Sequence, residues 1–81
     1  MKITVYSTTT CPYCIKLKHW LEEKNIEFTE YMVDRNPYAA QAMISISGQR
    51  GVPFSTIEHE DGSMDKIIGF DRGQFEAVLA K

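Results

Sequence analysis

The sequence from residue 3 to residue 14 is Ile3-Thr4-Val5-Tyr6-Ser7-Thr8-Thr9-Thr10-Cys11-Pro12-Tyr13-Cys14. Its first four residues are β-branched or aromatic, which predicts a short strand. A polar loop follows, and Pro12 suits the first position of a helix because that position needs no N–H. Cys11 therefore lies where a strand passes into a helix. A thiolate there is stabilised by the helix dipole and by unpaired N–H groups, so its pKa falls and it becomes a nucleophile for disulfide exchange.

Cys14 lies one helical turn after Cys11 and can close a disulfide with it. These are the only two cysteines among the 81 residues. The pair can switch between dithiol and disulfide, which is a two-electron change.

Hydrophobic periodicity and turn residues predict the element order β-α-β-α-β-β-α. The first strand–helix–strand unit implies a right-handed crossover and a parallel strand pair. The last two strands are predicted to form an antiparallel hairpin around a turn at residues 60–62. The predicted strands are Ile3–Tyr6, Glu27–Val33, Phe54–Glu58 and Met64–Ile68.

The helix boundaries follow from capping residues. The second helix is predicted to begin at Asn36 and to end at Gly48. The third helix begins at Asp71, with Gln74 three residues later as in a capping box. The first helix stops at Asn25, and its predicted apolar stripe consists of Cys14, Ile15, Leu17, Trp20 and Leu21.

The composition predicts one soluble domain covering residues 1–81. Apolar residues make up 43% and charged residues 25%, and the net charge of −2 gives no electrostatic footprint for nucleic acid. We find no signal-peptide pattern and no segment near the roughly 20 apolar residues that span a bilayer. We therefore expect a cytoplasmic protein with no nucleic-acid or membrane partner. Structural disulfides are rare in that compartment, so a Cys-x-x-Cys pair indicates catalysis or metal binding.

The cysteine pair has three alternative explanations. A structural disulfide closing so short a loop would constrain the unfolded chain little. A structural zinc site needs four ligands, so His19 and His59 would have to join Cys11 and Cys14. A metal or iron–sulfur cluster held between two subunits is the third. A Cys-x-x-Cys at the strand-to-helix junction of a βαβ unit favours redox chemistry over these alternatives.

Three motifs at matching separations carry a resemblance to a known family: Y-S-T-T-T-C-P-Y-C at residues 6–14, G-V-P-F at residues 51–54 and G-F-D at residues 69–71. Over its whole length the chain resembles a glutaredoxin. Its short length and the run G-Q-R-G-V-P at residues 48–53 are similar to those of small bacterial glutaredoxin-like proteins. That group includes thioredoxin-like redoxins that serve ribonucleotide reductase.

The resemblance implies an α/β thioredoxin fold with a four-stranded mixed sheet of order 2-1-3-4. The third strand is expected antiparallel to the other three, and helices are expected on both faces. The implied activity is thiol–disulfide oxidoreduction through the Cys-Pro-Tyr-Cys dithiol, with no bound prosthetic group. Glutathione is the implied co-substrate, and a monomer is expected.

The resemblance also implies the roles of the cysteines. Cys11 is expected to be the attacking thiolate, exposed at the helix start, and Cys14 the more buried resolving thiol. Tyr13 is expected to form an aromatic wall beside the sulfur, or else to be only an exposed loop residue. The Val52–Pro53 bond is expected to be cis and to present the Val52 backbone to an incoming peptide or glutathione.

A glutathione site is implied at the turn formed by Gly69, Phe70 and Asp71. Gly69 permits close backbone approach, and Asp71 either accepts a hydrogen bond from the ligand ammonium or serves only as a helix cap. A glycyl carboxylate would meet Arg50 with Gln49, or alternatively Arg35; the simpler reading of each is a solvated surface residue.

One departure from the family pattern bears on the reductant. Many glutathione-using glutaredoxins carry a lysine shortly before the first cysteine, where this chain has Thr8-Thr9-Thr10. A thioredoxin-like hydrogen donor, reduced by a flavin-dependent thioredoxin reductase, is therefore the main alternative. A metal or iron–sulfur carrier and an arsenate reductase-like or regulatory protein of the same fold are further alternatives.

Overall fold

The computed structural model describes residues 1–80. Within them the predicted element order β-α-β-α-β-β-α is confirmed. The elements are β1 (Lys2–Ser7), α1 (Pro12–Glu23), β2 (Thr29–Met32), α2 (Pro37–Ser47), β3 (Phe54–Glu58), β4 (Met64–Ile68) and α3 (Arg72–Leu79).

The strands form one mixed sheet in the order β2-β1-β3-β4. β1 pairs in parallel with β2, whereas β3 is antiparallel to both β1 and β4. Both the strand order and the direction of β3 agree with the expectation. Tyr6 pairs with Phe54, and Phe54 pairs with Ile68, so these residues lie side by side at one end of the sheet. The segments that contain Cys11, Pro53 and Gly69 therefore all lie at that end.

The second strand is shorter than predicted. It covers Thr29–Met32 rather than residues 27–33, because only these four residues pair with β1. The Val33 N–H still donates to the Ser7 carbonyl at 2.8 Å, just beyond the strand.

Helices cover both faces of the sheet, as expected. On one face α1 and α3 bury a cluster that includes Val5, Leu17, Leu21, Ile57 and Phe75. On the other face α2 buries a smaller cluster of Tyr6, Ala39, Met43 and Phe54. The alternation of Val5 and Tyr6 between the two clusters follows from the two-residue period of a strand.

The predicted helix boundaries are confirmed. The Asn36 side chain accepts hydrogen bonds from the N–H groups of Tyr38 and Ala39, which caps α2. Gly48 ends α2 with φ 70°, and Asn25 follows α1 with φ 57°. Both residues adopt the left-handed conformation that stops a helix.

The predicted burial of Ile15 is wrong. Its side chain is 49% exposed, whereas Cys14 and Leu17 are buried. Successive residues of a helix point about 100° apart, so the residue after Cys14 turns away from the sheet.

Within residues 1–80, none of the helices has both the length and the apolar composition needed to cross a membrane.

Candidate active site

The two cysteines form a disulfide across the start of α1, with their Cα atoms 5.2 Å apart. Cys11 is the N-cap residue, and Pro12 occupies the first turn. The Cys11 Sγ atom accepts a hydrogen bond from the Cys14 N–H at 3.2 Å. That N–H belongs to the group of amides that a helix leaves unpaired at its N-terminus. A hydrogen bond from such an amide to a cysteine sulfur favours the thiolate form of the cysteine.

Cys11 was predicted to be exposed, but the structure buries it. It is still less buried than Cys14, as predicted. Cys11 retains 9% of its accessible surface and Cys14 retains 1%. Cys14 lies on the buried face of α1. It is the more buried residue of the two, and Cys11 keeps the larger share of its accessible surface.

The first turn of α1 carries no negative side chain that would oppose a thiolate at Cys11. Residues 12–15 contain no acidic side chain. The Lys16 ammonium lies 5.2 Å from the centre of the Tyr13 ring, within the range of a cation–π contact. Tyr13 is 61% exposed, so its ring and the Lys16 ammonium lie at the surface of the first turn of α1.

The loop before β3 lies at the same end of the sheet. The Val52–Pro53 peptide bond is cis, as the resemblance implies. Pro53 is fully buried and Val52 is half-buried. Since Phe54 pairs with Tyr6, Pro53 emerges next to the end of β1, from which the chain leads to Cys11.

The turn after β4 is attached directly to this loop. The Gly69 N–H donates to the Pro53 carbonyl at 2.7 Å. Gly69 has φ 81°, a conformation that side-chain-bearing residues rarely adopt. The Phe70 ring points into the core, with its centre 6.0 Å from the Trp20 ring and 6.4 Å from the Phe75 ring. The partly buried Phe70 side chain therefore packs against the core and anchors this turn.

Asp71 is the N-cap of α3, as predicted. One of its carboxylate oxygens accepts from the Gln74 N–H at 3.1 Å, and the other accepts from the Gln74 side-chain amide at 3.0 Å. The carboxylate is exposed, so its outer lone pairs face solvent. Capping and ligand binding are geometrically compatible at this residue.

The three residues predicted to bind a glycyl carboxylate differ from one another in whether the side chain is free. Arg50 and Arg35 are both exposed. The Gln49 side-chain amide is already hydrogen-bonded to the backbone of Gly51, so it is not free to bind a carboxylate.

Residues 3–58 match the family model described as Glutaredoxin. The chain belongs to the glutaredoxin family. Members of this family are thiol–disulfide oxidoreductases without a prosthetic group, and the Cys11–Cys14 pair supplies the dithiol that such an activity requires. The matched range ends before the turn at residues 69–71.

Two curated relatives extend the match to nearly the whole chain. One is an uncharacterized glutaredoxin-like 8.6 kDa protein in the rubredoxin operon of Clostridium pasteurianum, 38% identical, with 98% of this chain and 99% of the relative covered. The other is glutaredoxin 3 of Escherichia coli strain K12, 33% identical, with 95% of each chain covered.

A solved structure gives the same fold. The glutaredoxin-like protein NrdH-redoxin from Escherichia coli superposes with a TM-score of 0.77 at 28% identity, covering 96% of this chain and 95% of that one. Its published description refers to a thioredoxin-like activity profile. The sheet order and helix placement of this glutaredoxin are those of the thioredoxin fold.

The sequence does not reveal a partly buried network of polar side chains around Ser7, the last residue of β1. The Ser7 hydroxyl, which is completely buried, donates to the Glu30 carboxylate at 2.6 Å and lies 3.2 Å from the Met32 sulfur. The Lys18 ammonium lies 2.7 Å from the same Glu30 oxygen. Burial opposes ionisation of Glu30, but hydrogen bonds from Lys18 and Ser7 outweigh it and lower the pKa of the carboxyl. The network ties α1 to β1 and β2.

A second contact holds the loop before Cys11. The Thr9 N–H and hydroxyl both donate to one oxygen of Asp34, at 3.1 Å and 2.6 Å. Both hydrogen bonds lower the pKa of the Asp34 carboxyl, and the bond from the Thr9 hydroxyl has the larger effect. In the sequence, the only hint of these two contacts was the run of polar residues after the first strand.

The residues of the zinc alternative do not come together. Within residues 1–80, no group of three or more histidine, cysteine, aspartate or glutamate side chains is arranged to hold a metal ion. His59 lies at the β3–β4 hairpin, where its Nε2 atom is 2.8 Å from Asp65, and His19 is exposed on α1.

Proposed function

We propose that this glutaredoxin reduces disulfides of proteins and mixed disulfides of glutathione, with Cys11 as the attacking thiolate and Cys14 as the resolving thiol. The observation that carries the proposal is the N-cap position of Cys11, whose sulfur accepts the Cys14 N–H and is bonded to a nearly inaccessible Cys14. The sulfur that a substrate reaches is thus also the one that the helix terminus favours as an anion.

The reaction proceeds by two exchanges. The Cys11 thiolate attacks one sulfur of the substrate disulfide, the substrate S–S bond breaks, and the departing thiolate takes up a proton. Cys14 then loses its proton and attacks the Cys11 sulfur, which releases the second substrate thiol. The substrate gains two electrons and two protons, and the protein is left with its Cys11–Cys14 disulfide.

Val52 and Pro53 are proposed to orient the substrate. An extended peptide next to the mixed disulfide would pair with the Val52 backbone in the manner of an added strand. Pro53 is fully buried in this loop, and the exposed Tyr13 ring is proposed to flank the sulfur. The half-buried position of Val52 supports this assignment.

Glutathione is proposed as the co-substrate that reduces the disulfide. The exposed Asp71 carboxylate would accept from its ammonium, beside the backbone of Gly69 and Phe70, and Arg50 would meet a carboxylate at the other end. Two glutathione molecules would supply the two electrons and form glutathione disulfide.

A second candidate is a thioredoxin-like hydrogen donor reduced by a thioredoxin reductase, with partners such as ribonucleotide reductase. The absence of a cation in the sequence Thr8-Thr9-Thr10 favours it. The thioredoxin-like activity profile of NrdH-redoxin from Escherichia coli, which has the same fold, also supports this candidate.

Consumption of NADPH in two coupled assays tests the proposal. One assay supplies glutathione and glutathione reductase, the other a thioredoxin reductase from the same source, and both contain a protein disulfide. Turnover with glutathione supports the first candidate, and turnover only with the flavoenzyme supports the second. Failure of the wild type in both, at a rate equal to Cys11→Ser, would overturn both.

A further inference from the structure

The side chain of Gln49 bonds to both backbone groups of Gly51. The Gln49 Nε2 atom donates to the Gly51 carbonyl at 3.2 Å, and the Gly51 N–H donates to Gln49 Oε1. The side-chain amide thus pairs with one peptide residue as a neighbouring strand would, although this segment lies outside the sheet.

The same amide is anchored to the end of α2. Gln49 Nε2 also donates to the Ser47 hydroxyl at 3.3 Å. That hydroxyl lies 2.6 Å from the Met43 carbonyl, to which it donates. A continuous chain of hydrogen bonds therefore runs from the body of α2, through Ser47 and Gln49, to Gly51.

The position of Gly51 makes this chain relevant to substrate binding. Gly51 is exposed and directly precedes Val52, whose backbone is the proposed docking edge. Glycine loses more conformational freedom on ordering than any other residue. Without the Gln49 amide, the Gly51 N–H and carbonyl would be satisfied by water, and the loop would sample more conformations before each substrate binds.

We propose that Gln49 is a positioning residue, which holds residues 51–53 in the shape that receives the backbone of a disulfide substrate. This inference rests on the proposed role of Val52. The class of substrate that it concerns is a disulfide flanked by peptide groups, because only such a substrate can pair with the loop backbone.

The structure provides a second way to break the same contact. A Cβ atom added to Gly51 would lie 2.6 Å from Gln49 Oε1. The contact is with the end of a flexible side chain, so Gly51→Ala displaces the Gln49 amide without disturbing the fold. Gln49→Met removes the amide directly and keeps the length of the side chain.

The test is a single-turnover reaction of the reduced protein, followed by acid quench, alkylation of free thiols and intact mass. One probe is the disulfide of N-acetylcysteine N-methylamide, in which peptide groups flank each sulfur. The other is bis(2-hydroxyethyl) disulfide, which has no peptide group. Gln41→Met, an exposed site on α2, is the matched control.

We expect Gln49→Met and Gly51→Ala to react with the peptide-like probe about 3- to 10-fold more slowly, the factor that corresponds to about one hydrogen bond. Their rates with the hydroxyethyl probe should stay within about 2-fold of the wild type, since the chemistry of the sulfur is unchanged. Gln41→Met should match the wild type with both probes.

Equal slowing with both probes, or no slowing with either, would overturn the role of Gln49 while leaving the oxidoreductase proposal intact. A wild type that reacts with neither probe would instead overturn the proposed function itself.

Discussion

The Gly69 N–H donates to the Pro53 carbonyl over 2.7 Å, and this bond joins the turn after β4 to the loop before β3. Pro53 and Gly69 are 16 residues apart in the chain, and this bond joins the two proposed substrate-binding segments directly.

The conformation of Gly69 can be tested by Gly69→Ala. A Cβ atom there would meet nothing within 4 Å, but φ is 81°. The cost is therefore backbone strain alone, and we expect a loss of about 1–2 kcal/mol in the free energy of unfolding, measured by urea denaturation. Gly73→Ala, in the first turn of α3 where φ is negative, is the control and should not lower the free energy of unfolding by this amount, because it adds no left-handed strain. An unchanged midpoint for Gly69→Ala would show that the turn relaxes freely.

Most of the fold follows from local signals in the sequence. Caps at Asn36, Gly48 and Asp71 gave the helix boundaries because each depends on one or two neighbouring residues. The parallel pair and the hairpin followed from the lengths of the connections. Both ends of the second strand were placed wrongly, because they depend on which residues pair with β1 across the sheet, and this is a long-range property.

The sequence predicted the cysteines and the cis-proline of the candidate site but not the polar contacts that support them. Cys11, Cys14 and the cis Val52–Pro53 bond came from motifs and a family resemblance. The bonds of Ser7 to Glu30 and of Thr9 to Asp34 join residues 23 and 25 positions apart. No periodicity reveals such contacts, because they depend on the register between β1 and β2.

The different roles proposed for Cys11 and Cys14 predict different outcomes when each is replaced by serine. Cys11→Ser should abolish reduction of protein disulfides, since the proposed attacking thiolate is lost. Cys14→Ser should accumulate a covalent mixed disulfide through Cys11, seen by intact mass, because no neighbouring thiol resolves it. Faster alkylation of Cys14 than of Cys11 in the reduced wild type near neutral pH would reverse the assignment.

Two substitutions at Asp71 separate its capping role from ligand binding. Asp71→Asn keeps an N-cap acceptor and should change the free energy of unfolding little, whereas Asp71→Ala should cost about 0.5–2 kcal/mol. If the carboxylate binds the ammonium of glutathione, both variants should raise the KM for glutathione. A normal KM in Asp71→Asn, in the coupled glutathione reductase assay, would leave Asp71 as a cap only.

The Lys18–Glu30 pair predicts a specific dependence of stability on pH. Hydrogen bonds from Lys18 and Ser7, working against burial, lower the pKa of Glu30 from its ordinary value of 4.5. A carboxyl whose pKa is lower in the folded state stabilises the fold fully above its unfolded pKa, and the contribution is lost as pH falls through the folded pKa. The difference in unfolding free energy between wild type and Glu30→Gln should therefore be constant near neutrality and shrink below about pH 4.5.

The pair is three-quarters buried, with 25% and 26% of its side chains exposed, so we expect this difference to be about 1 kcal/mol at neutral pH. Urea denaturation at a series of pH values measures it. Lys18→Met should abolish most of the same pH-dependent contribution, because it removes the strongest hydrogen bond that favours the carboxylate. Glu22→Gln, on the exposed face of α1, is the control for the loss of one carboxylate from the same helix. If the Glu30→Gln difference stayed constant down to pH 3, the carboxylate would not be held by Lys18 and Ser7 in solution.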